Sequence, residues 1–154
     1  MHLIKISVAI LPLIFSLQLR AVESSAIVGL WLAEGCKAII EIELEQNQFK
    51  GKIAWVKKIP GGSMFDIHNP DKERRGDHLV GKYILKNFRF DGSKWMDGTI
   101  YDPENGKTYS SRMSLDKKDH LKIRGYIWVS FIGRTTTWKR YKKTLPTENF
   151  ECSQ

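Results

Sequence analysis

The side chains that could do chemistry are concentrated in one segment, residues 59–80. The segment holds two histidines and four carboxylates: His68, His78, Asp66, Asp71, Glu73 and Asp77. Imidazole and carboxylate groups are the ligands of N/O metal sites, but their spacing here matches none of the usual ligand patterns. A solvated loop rich in Asp and His explains the same composition. We therefore predict no metal site and no cofactor.

The remaining reactive side chains give catalysis no support. The serines stand in no Ser-His-Asp context, and no histidine neighbours Cys36 or Cys152 to activate a thiolate. Glu41, Glu43 and Glu45 alternate with an apolar stripe, which is typical of a solvated strand face. We predict that the protein is not an enzyme.

Within the same segment, the run from Asp66 through Asn69 and Pro70 to Asp71 has the composition of a turn. Asp and Asn side chains bond nearby backbone N–H groups, and proline fixes φ, so the loop can fold back on itself. Connections longer than about 12–15 residues are also often lids over a binding site. The sequence leaves both roles open, with Asp66 and Asn69 as the candidate ligand contacts.

Aromatic side chains are the other candidates for ligand contacts, and they are spread over most of the chain. They are Trp31, Trp55, Trp95, Tyr101, Tyr109, Tyr126, Trp128 and Trp138. In a barrel of about eight strands such rings either fill the interior or line a cavity for one small ligand. Trp55, Tyr101 and Tyr109 are the candidate ligand contacts among them.

The elements that would position these groups are strands. Residues 36–45 alternate almost perfectly between apolar and acidic side chains, and Asp102, Pro103 and Gly106 specify a hairpin within residues 100–109. The strand-like segments are residues 27–33, 36–45, 49–58, 82–90, 95–101, 109–115, 121–132 and 135–141. We predict an all-β, antiparallel up-and-down meander of about eight strands with a long loop at about 59–80, closed into a barrel that leaves no free edge.

Residues at the two ends of the meander favour this closure. Gly29 and Trp31 lie on the first strand, and Trp138 and Arg140 lie on the last. In a closed barrel these strands are neighbours, so the Arg140 guanidinium can lie over the Trp31 ring, a contact worth about 0.5–2 kcal/mol. The pairing resembles the Gly-x-Trp motif and terminal arginine of the lipocalins and the wider calycin superfamily.

The N-terminal residues have the three-part plan of a secretory signal peptide. An apolar run of about 14 residues follows Lys5, which is shorter than the roughly 20 that a membrane span needs. We predict cleavage after residue 21, with residue 26 as the alternative, and a periplasmic or secreted protein without a transmembrane segment. Residues 22–141 would form the barrel domain, and residues 142–154 a tail.

The net charge and the two cysteines bear on the partners of the protein and on disulfide formation. Removal of Lys5 and Arg20 lowers the net charge by two, from +8 to +6, and the basic residues that remain are interleaved with acidic ones. Such a distribution is typical of solvated strands, and we predict no nucleic-acid partner. Cys36 and Cys152 either pair in a disulfide, which an oxidising compartment permits, or remain free thiols. The sequence specifies no oligomeric state.

Several sequence blocks follow one another along most of the chain. They include Gly29-x-Trp31, Gly51-Lys52-Ile53, Asp66-x-x-Asn69-Pro70-Asp71, Gly98-x-Ile100-Tyr101-Asp102-Pro103-x-Asn105-Gly106-Lys107-x-Tyr109, Leu121-x-x-Arg124-Gly125-Tyr126 and Gly133-Arg134-Thr135-x-Thr137-Trp138-x-Arg140. Together these blocks resemble DUF2147, a family of uncharacterised bacterial secreted proteins. The resemblance implies a lipocalin-like barrel and no established activity. Trp128, where members usually carry a small residue, departs from the pattern.

The function expected from these features is binding of a small, mostly apolar or amphipathic ligand inside the barrel. The alternative is an envelope interaction or structural protein whose barrel is filled by side chains and holds no small molecule.

Overall fold

The computed structural model of the protein describes residues 24–58, 62–127 and 132–147. These residues form eight antiparallel strands in sequence order, and the last strand pairs with the first to close a barrel. The strands are β1 (Gly29–Leu32), β2 (Ala38–Glu45), β3 (Gln48–Val56), β4 (Tyr83–Phe90), β5 (Trp95–Asp102), β6 (Lys107–Leu115), β7 (His120–Tyr126) and β8 (Gly133–Arg140). The predicted fold class is confirmed.

The connections fall at two ends of the barrel because successive strands run in opposite directions. The end that carries the short turns 46–47, 91–94 and 116–119 is called the closed end below. The other end, the mouth, carries residues 33–37, 57–58, 62–82, 103–106, 127 and 132. The longest connection, at the mouth, joins β3 to β4 and contains a short 3-10 helix, Lys72–Arg74.

Strands β2 and β3 show how alternation in the sequence produces this sheet. Ile40 and Ile42 of β2 are buried, while Glu41 and Glu43, which follow them in turn, lie on the outer face. The Lys52 Nζ atom on β3 is 3.2 Å from a Glu41 carboxylate oxygen and 3.3 Å from a Glu43 oxygen. The glutamates are therefore partners in cross-strand ion pairs, which the interpretation as a merely solvated face did not include.

Residues 24–28, which precede β1, cover the closed end of the barrel and are called the plug below. Ser25–Ile27 form a 3-10 helix, and Ile27 and Trp31 are fully buried. The Trp31 Nε1 atom donates to the Ile27 carbonyl at 2.8 Å, and the Trp95 Nε1 atom donates to the Ser24 carbonyl at 3.0 Å. The expected strand from residue 27 is wrong at its start, because a short apolar run looks the same in a strand and in a buried helical turn.

Arg140 stabilises the seam, which is the pairing of β1 with β8 that closes the barrel. Its guanidinium carbon lies 4.2 Å from the centre of the Trp31 ring, within cation–π range. The same guanidinium donates to both carboxylate oxygens of Asp119, at 2.8 and 2.7 Å, and to the carbonyls of Ala26 and Val28 at 2.5 and 3.2 Å. One side chain thus joins the first strand, the last strand, the plug and the turn between β6 and β7.

Gly29 and Trp138 complete this seam. Gly29 opens β1 with a φ of +121°, a conformation that side-chain-bearing residues rarely adopt. Trp138 of β8 is only 4% exposed and belongs to the hydrophobic core.

Two further boundaries differ from the sequence-based expectation. Cys36 precedes β2 in a 3-10 helix, Glu34–Cys36, and β7 ends at Tyr126. Ile127 and Ile132, which the expected strand 121–132 included, lie outside any strand, and residues 128–131 are outside the described ranges. Cys36 is disulfide-bonded, and Cys152, the other cysteine of the sequence, lies outside the described residues. No helix within the described ranges is long and apolar enough to span a membrane.

Candidate functional site

The long connection between β3 and β4 is folded back on itself and tied to the barrel. Phe65 and His78 form an isolated antiparallel bridge, and their rings lie 4.5 Å apart. The backbone N–H of Ile53 on β3 donates to the Lys82 carbonyl at 3.0 Å, and the N–H of Gly81 donates to the Ile53 carbonyl at 2.8 Å. The connection is therefore an ordered part of the barrel wall with its own internal pairing.

Asp66 is the centre of this connection. It is 1% exposed, and three side chains donate to its carboxylate. The Tyr101 hydroxyl lies 2.7 Å from Oδ1, the Asn69 Nδ2 atom lies 2.6 Å from Oδ2, and the Lys82 Nζ atom lies 3.0 Å from Oδ2. Lys82 also lies 3.3 Å from an Asp77 oxygen. The buried carboxylate thus binds a residue of β5 and the last residue before β4 to the long connection.

The ionisation of this cluster follows from its contacts. Burial alone raises the pKa of the Asp66 carboxyl, but hydrogen bonds from Tyr101, Lys82 and Asn69 outweigh burial and hold the pKa below its usual value. Burial and the adjacent carboxylate raise the pKa of the Tyr101 hydroxyl well above its usual value. Asp66 is therefore ionised and Tyr101 protonated near neutral pH. With its lone pairs engaged, Asp66 serves to position the loop, and the cluster offers no free base or nucleophile.

A separate cavity of about 660 Å³ opens at the mouth of the barrel. Its apolar wall is formed by Ile100, Tyr109, Ile123, Tyr126, Ile127, Ile132 and Trp138. Ile123 and Trp138 are core residues, so the cavity reaches the packed interior. Its size lies within the range of about 300–1,000 Å³ that small-molecule sites occupy.

The rim of the mouth cavity is polar and mixed in charge. The Lys37 Nζ atom lies 2.5 Å from a Glu104 oxygen, and an Arg134 nitrogen lies 3.9 Å from a Glu34 oxygen. These side chains are largely exposed. The Tyr109 hydroxyl accepts from the Asn105 Nδ2 atom at 3.0 Å. The mouth therefore combines an apolar wall with charged groups at the water interface, the arrangement that suits an amphipathic molecule.

The histidines have different neighbours in the fold. His68 places its backbone carbonyl against Gly106, where an added Cβ would lie 1.9 Å from the His68 oxygen. The His120 Nδ1 atom lies 3.5 Å from an Asp116 oxygen at the closed end. Across the described residues, no group of three or more His, Cys, Asp or Glu side chains is placed to hold a metal ion.

Comparison with protein-family models matches residues 29–140 to DUF2147, described as an uncharacterized protein conserved in bacteria. The chain belongs to the DUF2147 family. Among solved structures it is similar to protein HP1028 of Helicobacter pylori, described as belonging to the lipocalin family. That match has a TM-score of 0.66 and 22% identity, and it covers 75% of this chain and 83% of the other. At this identity it shows the fold alone. Comparison with curated proteins gives no match.

In this DUF2147 barrel, the five candidate ligand contacts fall in three places. Asp66, Asn69 and Tyr101 are brought together beneath the long connection, on the outer side of the sheet. Tyr109 lies in the wall of the mouth cavity. Trp55 is half-buried on β3 and lines neither the mouth cavity nor the space under the long connection.

Sequence reasoning about the DUF2147 chain missed the residues that complete these places. Lys82 looked like an ordinary strand residue, although its side chain is only 9% exposed and pairs with Asp66. Ile123 was assigned to a strand without a role in a cavity, and Trp138 was named among the rings that fill the barrel or line a cavity but was selected only as a barrel-closing residue. Side chains alternate between the two faces of a strand, and this alternation, which places both residues toward the interior, could have identified them. Trp128, the departure from the family pattern, lies outside the described residues.

Proposed function

We propose that this DUF2147 barrel binds a small, mostly apolar or amphipathic molecule in the mouth cavity. The observation that carries the proposal is the apolar wall, which extends from the rim residues Ile127 and Ile132 down to the core residues Ile123 and Trp138. Burying apolar ligand surface against this wall contributes about 25 cal/mol per Å². The charged pairs at the rim can contact a polar headgroup.

The similarity to the lipocalin-family protein HP1028 also supports ligand binding, since barrels of about eight strands can hold one small ligand. At the closed end Trp31 and Trp95 are buried beneath the plug, so the route for a ligand is through the mouth.

Gly125 offers a way to test this site. An added Cβ at Gly125 would lie 3.4 Å from an Ile100 methyl carbon and 3.6 Å from the Tyr109 Cβ, both in the cavity wall. We expect Gly125→Leu to fill part of the cavity and abolish binding of a fluorescent apolar probe such as N-phenyl-1-naphthylamine. Gly76→Leu is the matched control, because a Cβ at Gly76 meets nothing within 4 Å.

The experiment measures probe fluorescence for wild type and both variants, together with native mass spectrometry of protein purified from its own cell envelope. A displaceable probe that Gly125→Leu loses and Gly76→Leu keeps supports the proposal. Equal binding by the two variants, or neither probe binding nor a copurified small molecule, contradicts it and favours an envelope interaction protein without a small ligand.

We further propose that the barrel works in the periplasm or outside the cell after removal of residues 1–21. The signal-like composition of those residues, which lie outside the described ranges, supports this location. The intact mass of envelope-purified protein tests it. A mass that corresponds to a chain beginning at Val22 is the expected result, and a full-length mass refutes cleavage.

A further inference from the structure

A second and larger depression lies on the outside of the barrel. This outer groove has a volume of about 1040 Å³ and runs between the long connection, the turn between β2 and β3, and the outer faces of β4 and β5. It is separate from the mouth cavity, and the two share no lining residue. Most of the residues that line the groove have polar side chains.

The groove contains polar side chains that have no partner in the fold. Within the described part of the chain, seven of its polar lining residues make no side-chain hydrogen bond or ion pair: Gln46, Gln48, His78, Lys86, Asn87, Thr99 and Thr108. They supply three amides, two hydroxyls, one ammonium group and one imidazole, whose ring packs against Phe65. Amides and hydroxyls both donate and accept, as the hydroxyl groups of a sugar require.

A break in the strand pairing places two of these residues in the groove. Phe88 pairs with Phe49 and Leu85 pairs with Gly51, so Lys86 and Asn87 on β4 stand opposite the single residue Lys50. Asn87 has a φ of +64°, a left-handed conformation inside a strand. Such bulges redirect side chains and are common beside binding sites.

The charged side chains that line the groove indicate which class of ligand it can bind. The groove is lined by four basic side chains, Lys50, Arg74, Lys82 and Lys86, against two carboxylates, Glu45 and Asp77. The first three are paired with carboxylates of the fold, which leaves Lys86 as the uncommitted charge. The half-buried rings of Tyr83 and Tyr101 also line the groove, but lysines of the fold lie over them. The Lys50 Nζ atom is 4.5 Å from the centre of the Tyr83 ring, and the Lys82 Nζ atom is 6.0 Å from the centre of the Tyr101 ring.

We propose that the outer groove binds an acidic oligosaccharide. The Lys86 ammonium group pairs with a sugar carboxylate, and Asn87 and Gln48 bond sugar hydroxyls. This second site is independent of the mouth cavity, and either one can fail without the other.

The test uses the mature protein labelled with ¹⁵N and a galacturonate hexasaccharide as the probe. We expect amide chemical-shift changes at Gln48, Lys86, Asn87 and Thr99, and none at Gly125 in the wall of the mouth cavity. Maltohexaose, which is neutral, tests the requirement for the carboxylate. Tripolyphosphate, which carries charge without sugar hydroxyls, tests the requirement for the sugar.

Two variants remove the proposed contacts with little effect on the fold. Lys86→Gln removes an exposed charge, and Asn87→Gly removes the amide while glycine tolerates the left-handed backbone. We expect Lys86→Gln to weaken hexasaccharide binding about tenfold, as the loss of a hydrogen bond between charged groups predicts. We expect Asn87→Gly to weaken it about fivefold, as the loss of a neutral hydrogen bond worth about 1 kcal/mol predicts. Lys139→Gln on the exposed face of β8 is the matched control, and its affinity should remain within about twofold of wild type.

The amide spectrum of each variant also shows that it is folded. The proposal is overturned if the hexasaccharide causes no shifts at millimolar concentration, or if the shifts map to the mouth. It is also overturned if Lys86→Gln and Asn87→Gly bind as tightly as Lys139→Gln. Equal affinity for maltohexaose excludes an acidic ligand, and equal affinity for tripolyphosphate excludes a sugar.

Discussion

Replacing Lys82 by methionine tests the role of the buried ion pair most directly. The Asp66 side chain is fully buried and the Lys82 side chain is 9% exposed, so neither charge is solvated. Methionine keeps much of the length and the apolar stem but removes the ammonium group 3.0 Å from Asp66. The carboxylate then retains only the neutral donors Tyr101 and Asn69.

The cost follows from that orphaned charge. Breaking a buried pair by removing one partner typically costs 3–5 kcal/mol, because the remaining charge stays buried without compensation. We expect Lys82→Met to lower the free energy of unfolding by about 3 kcal/mol. In a domain of this size that loss corresponds to a Tm lower by roughly 6–12 °C.

The assay is urea unfolding followed by tryptophan fluorescence, with Lys37→Met as the matched control. Lys37 makes the same kind of contact with Glu104, at 2.5 Å, but these side chains are 63% and 68% exposed. An exposed pair contributes about 0–1 kcal/mol, so the control should lose no more than that. The double variant Asp66→Asn/Lys82→Met should be about 1–2 kcal/mol more stable than Lys82→Met alone, because it carries no orphaned charge. If Lys82→Met costs no more than Lys37→Met, the reasoning is refuted.

Further substitutions test other parts of the fold. Because the folded-state pKa of Asp66 is lowered, its contribution to stability is present above the ordinary aspartate pKa and is lost as pH falls through the folded-state value. Below about pH 4 the unfolding free energy of wild type should therefore fall more steeply than that of Asp66→Asn, as urea unfolding at several pH values will show. Tyr101→Phe removes a hydrogen bond to a charged acceptor and should cost about 1.5–3 kcal/mol in the same assay; an unchanged midpoint would contradict the 2.7 Å contact. Gly98→Ala would place a Cβ 2.4 Å from the Phe88 ring, so we expect a loss of about 1–3 kcal/mol by thermal unfolding, whereas wild-type stability would mean that the ring can move aside. Arg140→Lys keeps the charge but not the planar fork, and should lower Tm by several degrees; a Tm equal to wild type would show that charge alone closes the seam.

The sequence predicts the barrel well because its main signals are local. The alternation of Ile40 and Ile42 with Glu41 and Glu43 records which face of β2 is buried, and the turn residues between strands mark where the chain reverses. Where one local pattern fits two structures, the prediction fails. Ile27 continues an apolar run into β1, yet it belongs to the plug, and only its contact with Trp31 distinguishes the two.

The candidate sites were harder to predict because they depend on contacts between distant segments. The turn composition from Asp66 to Asp71 was recognisable, but nothing nearby in sequence reveals that Tyr101, 35 positions away, donates to Asp66. Lys82 resembles any strand lysine until its burial is known. The outer groove depends on a bulge at Asn87, and the sequence around it reads as ordinary strand.

The seam between β1 and β8 also sets the order in which the barrel can fold. The other pairings join strands that are neighbours in sequence, and all but β3–β4, which the long connection separates, can form as local hairpins. In contrast, Val28 and Arg140 meet across 112 positions. We therefore expect closure to come late in folding, and until β8 has formed, the edge of β1 is open to pairing with another chain. A chain that lacks its final strand keeps a sheet edge exposed. The residues made last thus protect the residues made first from aggregation.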